Sequence, residues 1–124
     1  MIVSHIQHSS FPVRDLARSR RFYGEILGLE EIDRPNFPFA GAWYRVGNGQ
    51  VHLIVVEPDA DVGAPPRSLN PIGRHTAFAI RDYAKVRDRL RAHGLDILDA
   101  GAAMGQMWVA DPDGHVIELI ATSD

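Results

Sequence analysis

Three histidines and one glutamate stand out as residues that could do chemistry: His8, His52, His75 and Glu118. Imidazole nitrogens and a carboxylate are the usual donors for Zn(II), Fe(II), Mn(II), Ni(II) or Co(II), and four of them leave exchangeable positions in an octahedral shell. Spacing separates these four from the rest of the chain. His8 and His75 lie 67 positions apart, and His52 and Glu118 lie 66 apart. The same two offsets relate other segments. Val13-Arg14-Asp15-Leu16-Ala17 returns as Ile80-Arg81-Asp82-Tyr83-Ala84 at 67, and Gly28-Leu29 returns as Gly94-Leu95 at 66. Val51-His52-Leu53-Ile54 then matches Ile117-Glu118-Leu119-Ile120, and the turn Gly47-Asn48-Gly49 matches Asp113-Gly114-His115, both at 66. The chain is an internal repeat whose second copy has lost one residue within its helical stretch. Any one histidine taken alone is more often a satisfied core or surface residue. Four ligand types in repeat-equivalent positions weigh against that. His5, His93 and His115 lack this support and stay outside the candidate set.

Each copy reads strand, helix, then three strands. Residues 6–13 and 75–80 are β-rich, and each run ends at an Arg-Asp that can cap the helix behind it. Helical spacing of Leu16, Phe22, Tyr23, Ile26 and Leu27 predicts a helix over 15–27, ended by Gly28; its counterpart spans 82–93 and stops at Gly94. Short strands follow at 29–34 and 95–99. Hairpins come next, one pairing 39–46 with 50–56 and the other pairing 106–110 with 115–121, across turns rich in Gly, Asn and Asp that suit positive φ. Residues 57–72 hold four prolines and little apolar periodicity, and read as a linker or surface loop. The expectation is a single domain over 1–124: one module at about 4–57, the linker at about 58–72 and a second module at about 73–122. Its fold class is α+β, two βαβββ modules related by a pseudo-twofold, with mixed sheets forming an open cleft.

Strand parity then sorts the side chains. Phe11 and Val13 oppose His8 and Ser10, while Val51, Leu53 and Val55 oppose His52. In the second copy Thr76, Phe78 and Ile80 oppose His75, and Ile117, Leu119 and Ala121 oppose Glu118. The aliphatic and aromatic face is the one helices can cover, so all four candidate ligands fall on the other face. Polar groups on an otherwise apolar surface need a reason. Trp43, Tyr44, Met104, Met107 and Trp108 lie on or near the hairpins. They would either grip an apolar substrate or pack the hairpins, and packing is the more ordinary role.

Composition excludes several classes. Thirteen Lys plus Arg against sixteen Asp plus Glu give a net charge of −3 with the signs mixed, which offers no nucleic-acid surface. The absence of cysteine rules out disulfides, thiolate metal sites and a cysteine nucleophile, and fits a reducing compartment. No apolar run approaches the roughly 20 residues of a membrane span, and no signal segment is visible at the N-terminus. A cytoplasmic protein is expected. Nor does the sequence display an obvious anion-binding cluster.

Val13-Arg14-Asp15-Leu16, Arg21-Phe22-Tyr23 and Ile26-Leu27-Gly28-Leu29, with the closing run from Asp111-Pro112-Asp113-Gly114 to Glu118-Leu119, resemble the vicinal oxygen chelate superfamily. That group includes glyoxalase I, bleomycin-resistance proteins, fosfomycin-resistance transferases, methylmalonyl-CoA epimerase and extradiol dioxygenases. Residues 34–43 and 51–53 most resemble its glyoxalase-like branch. The resemblance implies that His8, His52, His75 and Glu118 occupy the four metal positions around one divalent ion (Zn, Ni, Fe, Mn or Co). His75 and Glu118 match the residue types of glyoxalase I, and His8 matches its bacterial form. His52 departs, because glyoxalase I has a glutamate there that helps move the substrate proton. Without His52, the rest form a two-His, one-carboxylate triad of the kind that suits Fe(II) oxygenases and Mn(II)-dependent transferases. The implied activity is a metal-dependent lyase or isomerase that chelates neighbouring oxygens of a small substrate and stabilises an enediolate or alkoxide, with Glu118 shuttling the proton. Alternatives are an extradiol-type Fe(II) dioxygenase, a fosfomycin-type thiol transferase and a metal-free ligand-binding protein like those that sequester bleomycin. The implied partners are a small-molecule substrate and a second copy in a homodimer.

Overall fold

Alternation of polar and apolar residues builds the first strand. In a computed structural model, which describes residues 1–123, β1 spans His8–Val13, with Phe11 and Val13 buried and His8 and Ser10 exposed. It begins two residues later than the sequence predicts, and Ile6 stays exposed. Helix α1 (Leu16–Arg20) follows, its Asp15 N-cap accepting a hydrogen bond from the Arg18 N–H at 3.2 Å. Without a break the chain then enters a π-helical turn, Arg21–Ile26. There the Leu27 N–H donates to the Phe22 carbonyl, five residues back, at 2.9 Å.

The sequence predicts one ordinary helix here, a residue longer than its counterpart. The wider π turn absorbs that extra residue. Asp15 and Gly28 therefore stay in phase with Asp82 and Gly94, which bracket the regular helix α2 (Tyr83–Ala92). Gly28 and Gly94 take φ +76° and +77°, the left-handed conformation that closes each helix. The inward side of the first helical segment carries Phe22, Tyr23 and Ile26. Tyr23 stacks on Phe11 of β1 at 5.5 Å and meets Phe22 edge-on at 4.9 Å, so this segment covers the apolar face of its sheet.

Three strands complete that sheet: β2 (Glu30–Ile32), β3 (Gly41–Val46) and β4 (Gly49–Val55). Their order is β1-β4-β3-β2, with β1 parallel to β4 and the other pairs antiparallel. The second sheet repeats it as β5-β8-β7-β6, from β5 (His75–Ile80), β6 (Leu98–Asp99), β7 (Gln106–Ala110) and β8 (Val116–Ala121). Registers repeat as well. Ser10 and Trp43 flank His52 across β1 and β3, as Ala77 and Trp108 flank Glu118 across β5 and β7. The fold is α+β, two βαβββ modules. The edge strands β2 and β6 are shorter than the sequence suggests.

The chain divides into two compact units between Gly63 and Ala64, inside the proline-rich segment. The second unit's core combines Met107, Val109, Ile117 and Leu119 with Tyr83 and Leu90 of α2. In the hairpin turns only the glycines take positive φ, Gly47 at +56° and Gly114 at +88°, and not the neighbouring Asn48 or Asp113. Asp111 contributes through its side chain: Oδ1 accepts from the Asp113 and His115 N–H groups, both at 2.9 Å. Among the described residues, no helix is long and apolar enough to cross a membrane.

Candidate functional site

In the first unit, parallel pairing sets His8 opposite Gln50 and Ser10 opposite His52, which brings the two imidazoles onto one face. Their rings stack with centroids 4.1 Å apart and planes 18° apart. Trp43, directly across from His52 on β3, stacks on the other side at 4.0 Å and 4°. His52 is sandwiched between them and 8% exposed. That burial, and then the neighbouring His8 and Arg34, holds its pKa below the ordinary 6.5, so the ring is neutral near pH 7. His52 Nε2 lies 2.7 Å from Gln50 Oε1, and His8 Nδ1 lies 2.5 Å from Gln7 Oε1. An amide oxygen only accepts, so each of those nitrogens carries the proton. In His8 the nitrogen not engaged by Gln7 is Nε2. The Nε2 of His52 is engaged by Gln50.

In the second unit Glu118 is 6% exposed on β8. Trp108 Nε1 donates to its Oε1 at 3.1 Å, and Gln106 Nε2 donates to its Oε2 at 3.2 Å. His75 Nε2 lies 3.0 Å from Oε1. His75 Nδ1 is turned the other way, 2.9 Å from the Gly73 carbonyl, so it carries a proton. A carboxylate offers about four lone-pair sites, and these contacts use two on Oε1 and one on Oε2. The remaining site is on Oε2.

The structure therefore assembles the candidate residues as two pairs, His8 with His52 and His75 with Glu118. Among the described residues, neither unit by itself gathers three or more His, Cys, Asp or Glu side chains in a group that could hold a metal. Of the hairpin residues, Trp43 and Trp108 share the face of the pairs and touch them. Tyr44 and Met107, one residue out of phase, are fully buried in the cores, and Met104 is exposed. Sequence reasoning missed Gln50 and Gln106. Parity was the available signal: Gln50 precedes His52 by two on one strand, and Gln106 precedes Trp108 by two. It also missed a cation. Arg34 gathers with Phe37 and Phe39 in the loop between β2 and β3, where the sequence displayed no anion-binding cluster.

Duplicated βαβββ modules, each presenting a pair of potential metal donors on one face of its sheet, define the vicinal oxygen chelate class. The chain belongs to the Glyoxalase/Bleomycin resistance protein/Dioxygenase superfamily, whose family model matches residues 5–119. It is 30% identical over 123 residues to Glyoxylase I 4 of Arabidopsis thaliana, covering 94% of this chain and 70% of that protein. To the lactoylglutathione lyase of Salmonella typhimurium it is 29% identical over 125 residues, covering 94% and 92% respectively. A crystal structure of a glyoxalase family protein from Bacillus anthracis superposes with a TM-score of 0.80 at 26% identity, covering 99% of this chain and 98% of that one.

Proposed function

We propose that this protein is a glyoxalase-like, divalent-metal-dependent lyase or isomerase acting on a small substrate with neighbouring oxygens, and that His8, His52, His75 and Glu118 hold the ion. The similarity to a lactoylglutathione lyase supports the reaction class. The observation that carries the metal is the His75–Glu118 pair. With the Nδ1 proton committed to the Gly73 carbonyl, His75 directs Nε2 at a buried carboxylate oxygen 3.0 Å away. A lone pair facing a carboxylate at that distance is repulsive unless a cation is shared between them, either a proton on Nε2 or a metal ion. A backbone-anchored Nδ1–H and an Nε2 facing a carboxylate are the habit of a metal-ligating histidine. His8, whose Nδ1 faces Gln7, would offer Nε2, and His52, kept neutral by its surroundings, would offer Nδ1, or Nε2 once Gln50 lets go. The residues fit a divalent ion.

Such an ion, when bound, supplies chelation of two substrate oxygens and acidifies the C–H beside a carbonyl. The rest falls to the protein. Trp108 and Gln106 fix the Glu118 carboxylate, and its Oε2, with a site to spare, takes the proton from one substrate carbon and returns it to the next. Trp43, stacked on His52, walls that side against water. A cysteine-free chain suits the reducing cytoplasm.

Elemental analysis of protein purified without chelator or affinity-tag metal tests this reading. Near-stoichiometric divalent metal is expected, with loss in His75→Ala and Glu118→Gln and turnover of 2-oxoaldehyde adducts by the wild type alone. No binding after adding Ni, Zn, Mn or Fe would sink it and leave metal-free ligand binding in its place. The Gln50–His52 contact favours a second reading. If His52 is withheld by Gln50, then His8, His75 and Glu118 form a facial triad, which suits an Fe(II) dioxygenase or an Mn(II) transferase. Metal retained in His52→Ala selects the triad, and metal lost selects the four-ligand set.

A further inference from the structure

Among the described residues, Arg34 is a cation without a counter-ion. Its guanidinium carbon sits 5.0 Å from the Phe37 ring centroid and 5.1 Å from that of Phe39, and the two rings lie 5.1 Å apart within 6° of parallel. Nη2 donates to the Phe39 carbonyl at 2.7 Å. Among the described residues no carboxylate pairs with it. Cation–π contacts and one main-chain acceptor position the charge but do not neutralise it.

Gly41 shows where along β3 that charge lies. A Cβ at Gly41 would come within 3.0 Å of Arg34 Nε and 3.1 Å of Nη2. The same Cβ would meet the Leu53 carbonyl oxygen of β4 at 2.3 Å, so glycine is required where the β4 backbone and the guanidinium both crowd the start of β3. Through Phe37 and Trp43 the guanidinium is connected to the ring of His52. The register-equivalent position in the second unit is Gln106, whose side chain reaches Glu118. In the first unit that place is a glycine, with the Arg34 guanidinium beside it. Beside it Phe37 and Phe39 remain 39% and 43% exposed, and Phe37 leans on Trp43 at 6.3 Å.

We propose that Arg34, Phe37, Phe39 and Trp43 form a binding site for an aromatic carboxylate, the carboxylate pairing with the Arg34 guanidinium and the flat ring lying against the exposed phenyl faces. Both halves are needed. Guanidinium and carboxylate match as planar, forked partners, and solvent-exposed aromatic rings held in place by a cation offer stacking area. The binding site stands on the first unit alone. Its extension, that the substrate of the proposed reaction carries an aryl group and an acid, rests on that metal-dependent reading.

Calorimetric titration of benzoate, benzamide and acetate into the full chain, as purified and again with chelator, tests the site apart from the ion. Benzoate is expected to bind about tenfold or more tightly than either of the others, with chelator or without it. Arg34→Gln should bring benzoate down to the benzamide level and leave benzamide unchanged. Joint Phe37→Ala and Phe39→Ala substitution should weaken both aromatic probes. Should Arg34→Gln not fold, Arg34→Lys reads the same point, because it keeps the charge, loses the fork and should weaken benzoate alone. The proposal is overturned if benzoate fails to bind, or if it binds no better than benzamide. It is overturned equally if benzoate binding vanishes with chelator and in Glu118→Gln while Arg34→Gln leaves it intact, for then the ion takes the carboxylate. Dissociation of a dimer by the phenylalanine substitutions with benzoate affinity unchanged would give the rings to an interface instead.

Discussion

Two buried oxygen-bearing side chains differ in how they are satisfied. The Tyr44 hydroxyl is buried and, among the described residues, has no hydrogen-bond partner of good geometry. Burial first, then the nearby Glu31 carboxylate, pushes its pKa up to about 12. With Glu31 and Arg20 near but outside hydrogen-bond geometry, the hydroxyl regains little of its desolvation cost, so Tyr44→Phe should leave stability unchanged or raise it by up to about 1 kcal/mol. A clear fall in the urea midpoint would show that the hydroxyl has a partner after all. Glu118 is the opposite case, and Trp108→Phe, which removes its indole donor, should lower stability by about 1–3 kcal/mol in the same experiment. Strand parity made His8, His52, His75 and Glu118 legible as sharing faces, because a period of two needs only the sequence. Gln106 and Trp108 as donors to Glu118 were not legible. Which side chains meet across a hairpin depends on register, and their reach depends on rotamers the sequence does not carry.

Among the elements, α2 is tied to the sheet edge by its first residue. The Tyr83 hydroxyl shares its one proton between Asp99 Oδ1 on β6 and the Gln106 carbonyl on β7, the latter at 2.9 Å, so the helix steadies the strand that presents Gln106 to Glu118. The Tyr83 hydroxyl, then the Gly101 N–H, and to a lesser extent Arg91, hold the Asp99 carboxyl below its ordinary 3.8. A depressed carboxyl stabilises the fold above its unfolded pKa, and that contribution is lost as pH falls through the folded value. Tyr83→Phe should therefore move Asp99 back toward 3.8 in a carboxyl NMR titration and start acid unfolding at a higher pH. An unshifted Asp99 would mean that the Gly101 N–H and Arg91 suffice. At this scale the repeat offset was readable, down to the residue the second copy lacks. The π turn that absorbs the difference was not, since apolar spacing near 3.6 does not distinguish a helix from one widened by a residue. The Arg34 cluster lay beyond sequence reading too, because a loop brings its side chains together without any period.

For the molecule as a whole, duplication puts one donor pair on each unit, and neither pair is by itself a complete ligand set. The proposed four-ligand ion would therefore draw on two units, either of one chain or of two copies. The chain also exposes Met1, Ile2, Val3 and Ile6 ahead of β1, apolar surface of the kind a second copy covers. If the protein is a homodimer that shares ligands across its interface, sedimentation should return twice the 13.7 kDa chain mass. Complementation then decides where the ligands come from. His8→Ala damages only the first unit's pair and Glu118→Gln only the second's, so neither homodimer should hold metal. In a mixed dimer with shared sites, one chain's intact first unit meets the other's intact second unit. One site in two is then restored, and metal content should rise to about half the wild-type level in the isolated heterodimer. If each site lies within one chain, every site in that heterodimer still carries a damaged pair and the metal content stays at zero.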